Sequence, residues 1–189
     1  EATSLGDQIM SEQELALNQT NIRELVGKYL TFHLSQEQYG VSLLAVREII
    51  GLMDITHVPR TPEYVRGVIN LRGRIIPVVD LRLKFGMQAI DDTEVTCIIV
   101  VEMTYEDQVI QIGILVDEVD EVLDIQEGQI DNLPSIGADM SMNYICGVAK
   151  ISQRVVMLLD IQRVLSAMDL NQLVKTTGIQ KENNTSAAA

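Results

Sequence analysis

From Lys28 onward the chain alternates. In Lys28–Leu34 (KYLTFHL), Leu30, Phe32 and Leu34 fall on one face of an extended segment, and Tyr29, Thr31 and His33 on the other. Short β-runs recur at Tyr39–Val41, Val65–Leu71, Arg74–Val79, Thr96–Met103, Val109–Val116, Tyr144–Ile151 and Val155–Leu159, separated by turn-forming residues. Helical patterns are few. Ser42 is positioned to cap a short helix over LLAVREI (43–49), and Asp80 to open another. Asp160 begins the longest, DIQRVLSAMDLNQLV, with Ile161, Val164, Leu165 and Met168 on its apolar side. The pattern predicts an all-β fold with short helices and a C-terminal helix.

The stretch GVINLRGRIIPVVDL (67–81) reads as a hairpin with Arg72-Gly73-Arg74 at its wet tip, Gly73 supplying the positive φ of a tight turn. Pro77 cannot donate to a ladder, which predicts an edge or a bulge for its strand. This stretch lies without a gap over GVAKISQRVVMLLDI (147–161), matching Gly67 with Gly147, Arg74 with Arg154 and Asp80 with Asp160. Upstream, GVSLLAVREII (40–50) lies over GILVDEVDEVL (113–123), and ITHVP (55–59) over IDNLP (130–134). Lys28–Phe32 and Cys97–Val101 supply a leading apolar strand to each copy. Three blocks in one order imply a duplicated unit, at about 28–90 and about 95–165. Each copy has strands for one small barrel, and neither has apolar mass to stand alone, so the two are expected to share a core. Residues 27–170 form the expected domain. Residues 1–26 read as an acidic, largely disordered tail, and 171–189 as a fraying, flexible end.

Composition narrows the function. The 189 residues carry a formal charge of −13, no Trp, two Phe and five Tyr, which argues against a basic or base-stacking nucleic-acid surface. Cys97 and Cys146 lie in apolar runs without a CxxC, and read as buried, reduced thiols of a cytosolic protein. No apolar run is long enough to span a bilayer, and no positively charged leader opens the sequence, so a cytoplasmic protein without membrane insertion is expected.

Catalytic chemistry is not evident. The chain lacks GxxxxGK[ST], GxSxG and HExxH patterns, and neither His33 nor His57 has a nucleophile beside it. Asp91, Asp92 and Glu94 lack the oxygen-ligand spacing of a calcium loop. Asp117, Glu118, Asp120, Glu121 and Asp124 read as a solvated acidic face, with an enzyme using that face as the less favoured alternative. An interaction module without cofactor or metal is the leading reading. The copies differ at their hairpin tips, where Asn70-Leu71-Arg72-Gly73 becomes Lys150-Ile151-Ser152-Gln153. The second copy thus shows that the fold does not demand Arg at position 72, and a guanidinium beside glycine suits a specialised contact.

Taken together, YGVSLLAVREII, VINLRGRIIPVVDLRLKFG and IGILVDEVDEVL resemble the CheW family of bacterial chemosensory coupling proteins, from about Tyr29 to Leu170. The resemblance implies two five-stranded SH3-like barrels on a common core. It also implies a non-enzymatic adaptor joining the cytoplasmic tip of chemoreceptors to the regulatory domain of the histidine kinase CheA, recruited to membrane-associated arrays. Carried over by motif, Val46, Gly67, Asn70 and Arg72 face the receptor in a groove between the barrels, and Glu48 is a coupling position. The loop with Leu133, Pro134, Ser135 and Ile136 is a kinase-facing candidate. Related alternatives are a CheA regulatory-domain fragment or a CheV-type adaptor lacking its receiver.

Overall fold

The computed structural model describes residues 22–131 and 144–177. A 3₁₀ turn at Ile22–Leu25 leads into β1 (Gly27–Leu34), β2 (Glu37–Ser42), β3 (Val46–Gly51), β4 (Val65–Leu71), β5 (Arg74–Asp80) and the short α1 (Leu81–Lys84). The second half comprises β6 (Cys97–Tyr105), β7 (Gln108–Val116), β8 (Glu118–Ile125), β9 (Ile130–Asp131), β10 (Ile145–Ile151), β11 (Arg154–Leu159), α2 (Ile161–Val164) and α3 (Ala167–Thr177). The strands form two sheets, ordered β8-β1-β2-β11-β10-β9 and β3-β6-β7-β5-β4. These are the strand sets of two SH3-like barrels, and the fold is mainly β.

This order corrects the expectation of one barrel per repeat. β1 and β2 of the first copy belong to the sheet of β8 to β11, while β6 and β7 of the second belong to that of β3 to β5. The copies are joined by two parallel pairs. Gly40 in β2 lies opposite Leu158 in β11, and Gly113 in β7 opposite Val78 in β5. Both contacts join the same two repeat positions. Because the copies share one apolar pattern, a strand from either fits the same slot, and exchanging them places both β1 and β6 against one common core. The correspondence extends to irregularities: Thr56 bridges Val68 in one barrel, and Asp131 pairs with Val148 in the other. Both barrels also bulge at equivalent points, beside Arg47-Glu48 in β3 and Asp120-Glu121 in β8.

Three apolar clusters follow from this arrangement. Ile69, Ile76, Val78, Ile98, Val100 and Leu115 fill one barrel; Leu25, Tyr29, Ile125, Ile130, Ala149, Val156 and Leu158 fill the other. Between them a larger core collects Leu30, Phe32, Leu34, Tyr39 and Val41 with Ile99, Val101, Ile112, Ile114 and the buried residues of α2 and α3. The alternation in KYLTFHL therefore separates two interiors and not core from water. Tyr29 faces the barrel interior and Leu30, Phe32 and Leu34 the shared core, while Thr31 is fully buried. Its hydroxyl is satisfied by the bulge, donating to Glu121 O at 2.7 Å and accepting from Glu121 N at 3.2 Å.

Several local expectations change. Asp80 caps α1 through Leu83 N and Asp160 caps α2 through Gln162 N, as the sequence suggests. Ser42 makes no side-chain cap; Leu43–Ala45 is a single 3₁₀ turn, and Val46 already belongs to β3. The bulge and the pairing of β3 with β6 pull this stretch into the sheet, overriding its helical spacing. The long helix is broken after Val164, because Ser166 and Asp169 cap a new start: Ser166 N and Oγ donate to Asp169 Oδ2 and Asp169 N donates to Ser166 Oγ. Turning α3 away leaves Met168 exposed while Leu170 and Leu173 stay buried. Cys97 and Cys146 are half-buried free thiols, less enclosed than their apolar runs suggest. Burial pushes Cys146 up to about 11. Within the stretch read as a tail, Ile22–Leu25 seats Leu25 in a barrel core, with Tyr29 Oη donating to Leu25 O at 2.9 Å. Asp92 pairs with Arg66, at 2.7 Å, and Asp117 with Arg82.

Asp169 ties α3 to the β3 barrel. It accepts from Tyr64 Oη and from Lys84 Nζ, the latter at 2.9 Å, while Lys84 also lies 4.4 Å from the Tyr64 ring centroid. Partial burial raises its pKa, but hydrogen bonds from Tyr64, Lys84 and Ser166 outweigh burial and hold the carboxyl at about 2. A depressed carboxyl contributes stability above its unfolded pKa and loses it as pH falls through the folded value. Asp169→Asn is expected to melt lower than the parent at neutral pH. Between about pH 4 and pH 2 the gap is expected to close, as followed by circular dichroism. The strand exchange yields a second test. A fragment of residues 28–90 is expected to show no cooperative unfolding alone and to gain it only when mixed with the complementary half. A folded isolated fragment would contradict the interlocked core.

Candidate functional site

The bulge in β3 and the turn between β4 and β5 meet at one mouth of a barrel. Arg72 and Gly73 both have positive φ, 53° and 86°, the signature of a primed two-residue turn. Asn70 secures it, its Oδ1 accepting from Gly73 N at 2.9 Å. Ser152 has a φ of 57° at the equivalent point, so the left-handed residue is a property of the hairpin and not of arginine.

Glu48 and Arg72 come together here. Arg72 Nη1 donates to Glu48 Oε1 at 2.8 Å, and Nη2 to Oε2 at 2.9 Å, a parallel two-point pair. Hydrogen bonding from Arg72 holds the Glu48 carboxyl below its usual range. Arg72 remains 74% exposed and Glu48 28%, so the glutamate orients a guanidinium that faces solvent. Arg47, Leu71, Arg74 and Gln111 complete a cleft of about 500 Å³ around them. Arg74 Nη1 donates to Gln111 Oε1 at 3.3 Å, and Arg47 pairs with Glu102. Arg47 and Gln111 escaped the motif reading, although the repeat already set Arg47 over Asp120 as a charge reversal.

The other sequence candidates separate from this cleft. Asn70 adjoins it as the turn's internal cap. Val46 is half-buried and packs against the shared core. Gly67 is buried beneath the segment holding Thr56: a Cβ built there would lie 2.1 Å from Thr56 O and 2.7 Å from its carbonyl carbon, with φ at +141°. Backbone packing alone thus explains a glycine at 67. Leu133, Pro134, Ser135 and Ile136 lie outside the described residues.

Among the described residues, no three His, Cys, Asp or Glu side chains converge as metal ligands, and no helix is long and apolar enough to cross a membrane. His33 lies in a shallow cavity beside Asp117 and Glu118, and Asp117 is engaged twice by Arg82, at 2.7 and 2.5 Å.

Comparison with known proteins supplies the lineage. A family model described as the CheW-like domain matches residues 28–169. The chain is 36% identical over 148 residues to the chemotaxis protein CheW of Klebsiella aerogenes, covering 78% of this chain and 87% of that protein. It is 32% identical over 157 residues to the probable chemotaxis protein CheW of Rhizobium etli, covering 83% and 96%. The crystal structure of the scaffolding protein TtCheW from Thermoanaerobacter tengcongensis matches with a TM-score of 0.66 at 32% identity, over 75% of this chain and 95% of that one. With a matched model across both exchanged barrels and the same fold in a solved relative, the chain belongs to the CheW family of chemotaxis scaffold proteins.

Proposed function

We propose that this chain is a non-enzymatic adaptor coupling chemoreceptors to the histidine kinase CheA. It acts in the cytoplasm, at membrane-associated receptor arrays, and needs no cofactor or metal. The observation carrying the reading is the Glu48–Arg72 pair, at 2.8 and 2.9 Å. Two positions implied by the motif resemblance, 24 residues apart, combine into one oriented, solvent-facing guanidinium. Such a fork suits a directional contact with a polar or acidic group on a receptor's helical tip. In this reading Arg72 makes the contact and Glu48 positions it. Asn70 shapes the turn, Val46 borders the surface, and Gly67 acts from beneath by letting the chain pass. The loop from Leu133 to Ile136 faces the regulatory domain of CheA.

Arg72→Ala separates contact from stability. Ser152 already occupies the equivalent left-handed position, so the variant is expected to melt within about 2 °C of the parent. Its affinity for a receptor signalling fragment, measured by titration calorimetry, is expected to fall about tenfold or more. A folded variant binding as tightly as the parent would remove Arg72 from the interface. Gly67→Ala is expected to behave oppositely. The added methyl collides with the Thr56 backbone, and denaturant unfolding should register a loss of at least about 2 kcal/mol. Any weakening of receptor binding in that variant should track its unfolded fraction.

A further inference from the structure

The repeat relates two grooves as well as two barrels, each groove lined from both sheets. One lies against His33, Ser35, Asp117 and Glu118. By the registers of the two leading hairpins, Glu102, Thr104, Leu44 and Ala45 hold the same places in the other. In the first groove the chain supplies its own partner. Arg82 engages Asp117 through Nε and Nη2, at 2.7 and 2.5 Å, and its Nη1 reaches Gln88 O at 3.4 Å. The segment after α1 is held there and walls the groove with Ile90, Thr93 and Val95. In the second groove Leu44 stands in place of Asp117, and Gln162 in place of Arg82. Gln162 turns to β6, its Oε1 accepting from Thr104 N at 3.0 Å, and the chain after α2 departs as α3 toward Tyr64 and Lys84. The result is an open cleft of about 530 Å³ with Leu44 96% exposed at its edge.

We propose that the first 21 residues of this chain dock in the second groove, over Leu44. They begin at its rim: Glu24 and Leu25 line the groove, and Leu25 is anchored in the barrel core behind it. Residues 1–21 bring Leu5, Ile9, Met10, Leu15 and Leu17 to an apolar lining that includes Leu44, Ala45, Val109 and Ile161. Charge does not draw them in. Four acids and no Lys or Arg meet Glu102 and Asp160, while Arg163 is already paired with Asp160 at 3.1 Å. Docking is therefore apolar in origin, and salt tightens it by screening like charges. Tethering holds the segment at an effective concentration of about 1 mM, so an intrinsic affinity of only about 100 μM covers the groove about nine-tenths of the time. Ala45 of the groove adjoins Val46, which borders the receptor surface proposed above, so a docked segment competes with a receptor. That consequence rests on the adaptor reading; the docking does not.

The chain has no Trp, so Leu44→Trp in the full chain reports on this groove alone. A second full chain adds Leu5→Ser, Ile9→Ser, Met10→Ser, Leu15→Ser and Leu17→Ser. Both are expected to melt like the parent. Acrylamide quenching of the reporter is expected to be weak in the first chain and several-fold stronger in the second. A peptide of residues 1–21 added to the second is expected to restore protection, and to do so better at high salt than at low. The Leu44 methyl NMR signals, with and without the five serines, repeat the comparison in an unaltered groove. Equal quenching in the two chains overturns the proposal, whether the reporter is exposed in both or shielded in both. Shielding that grows with protein concentration overturns it in favour of a second copy of the chain. With Leu44 kept, the five-serine chain is expected to bind a receptor signalling fragment about tenfold more tightly than the parent. Equal affinity beside a responding reporter overturns the competition and leaves the docking. If the reporter responds and the fragment binds neither chain, the docking stands and the adaptor reading falls.

Discussion

The architecture depends on two parallel strand contacts, β2 with β11 and β5 with β7. Without them each repeat keeps its own strands and the shared core has no closed wall. Their sites are demanding: a Cβ at Gly113 would come within 2.7 Å of Ile98 and 3.4 Å of Val78. Residues without side chains at this crossing let two copies of one sequence interleave. Once they do, the middles of β1 and β6 are buried on both faces, and the Thr31 hydroxyl there needs an internal partner. Thr31 meets that requirement with the β8 bulge, which also orients the Asp120-Glu121 pair. Core satisfaction and surface presentation are therefore set by one backbone irregularity.

Much of the fold is legible in the sequence because the hairpins and caps are local. Arg72-Gly73, Asp80 and Asp160 announce themselves through turn and cap chemistry that needs no tertiary information. Which copy a strand pairs with is different in kind. Similar apolar patterns leave the exchanged and unexchanged arrangements undistinguished in sequence, and packing of the common core decides between them. The helix over LLAVREI fails for a related reason. Its spacing fits a helix, but Ile49 and Ile50 lie opposite Ile99 and Ile98 in a ladder that a helix would leave unpaired. The break before α3 was present in the sequence as Ser166 and Asp169, a capping pair inside an apparently continuous pattern.

The site was legible in a different proportion. Glu48 and Arg72 could be named from motif resemblance, whereas their mutual pairing required the bulge and the hairpin to meet across the barrel mouth. Gly67 illustrates the opposite risk. A motif glycine can serve packing within its own chain, and at 67 an added Cβ would lie only 2.1 Å from Thr56 O. Arg47 and Gln111 went unnoticed because each is unremarkable alone, and their meaning lies in what the other copy has at the same place.

Duplication explains how one scaffold presents two different ends. Backbone features that close a barrel recur in both copies, since either copy without its bulge or its inner glycine leaves the core unsatisfied. Side chains at the mouths are released from that constraint. In the β8 barrel Asp120, Glu121, Arg154 and Gln38 pair with one another. In the β3 barrel the exchange of an aspartate for Arg47, and of a serine for Arg72, shifts the same frame toward positive charge without altering a strand. The scaffold thus combines a common interior, shared by both copies, with mouths whose charge diverges independently. The interlocked core couples the two barrels, because neither barrel can open without withdrawing strands from the other.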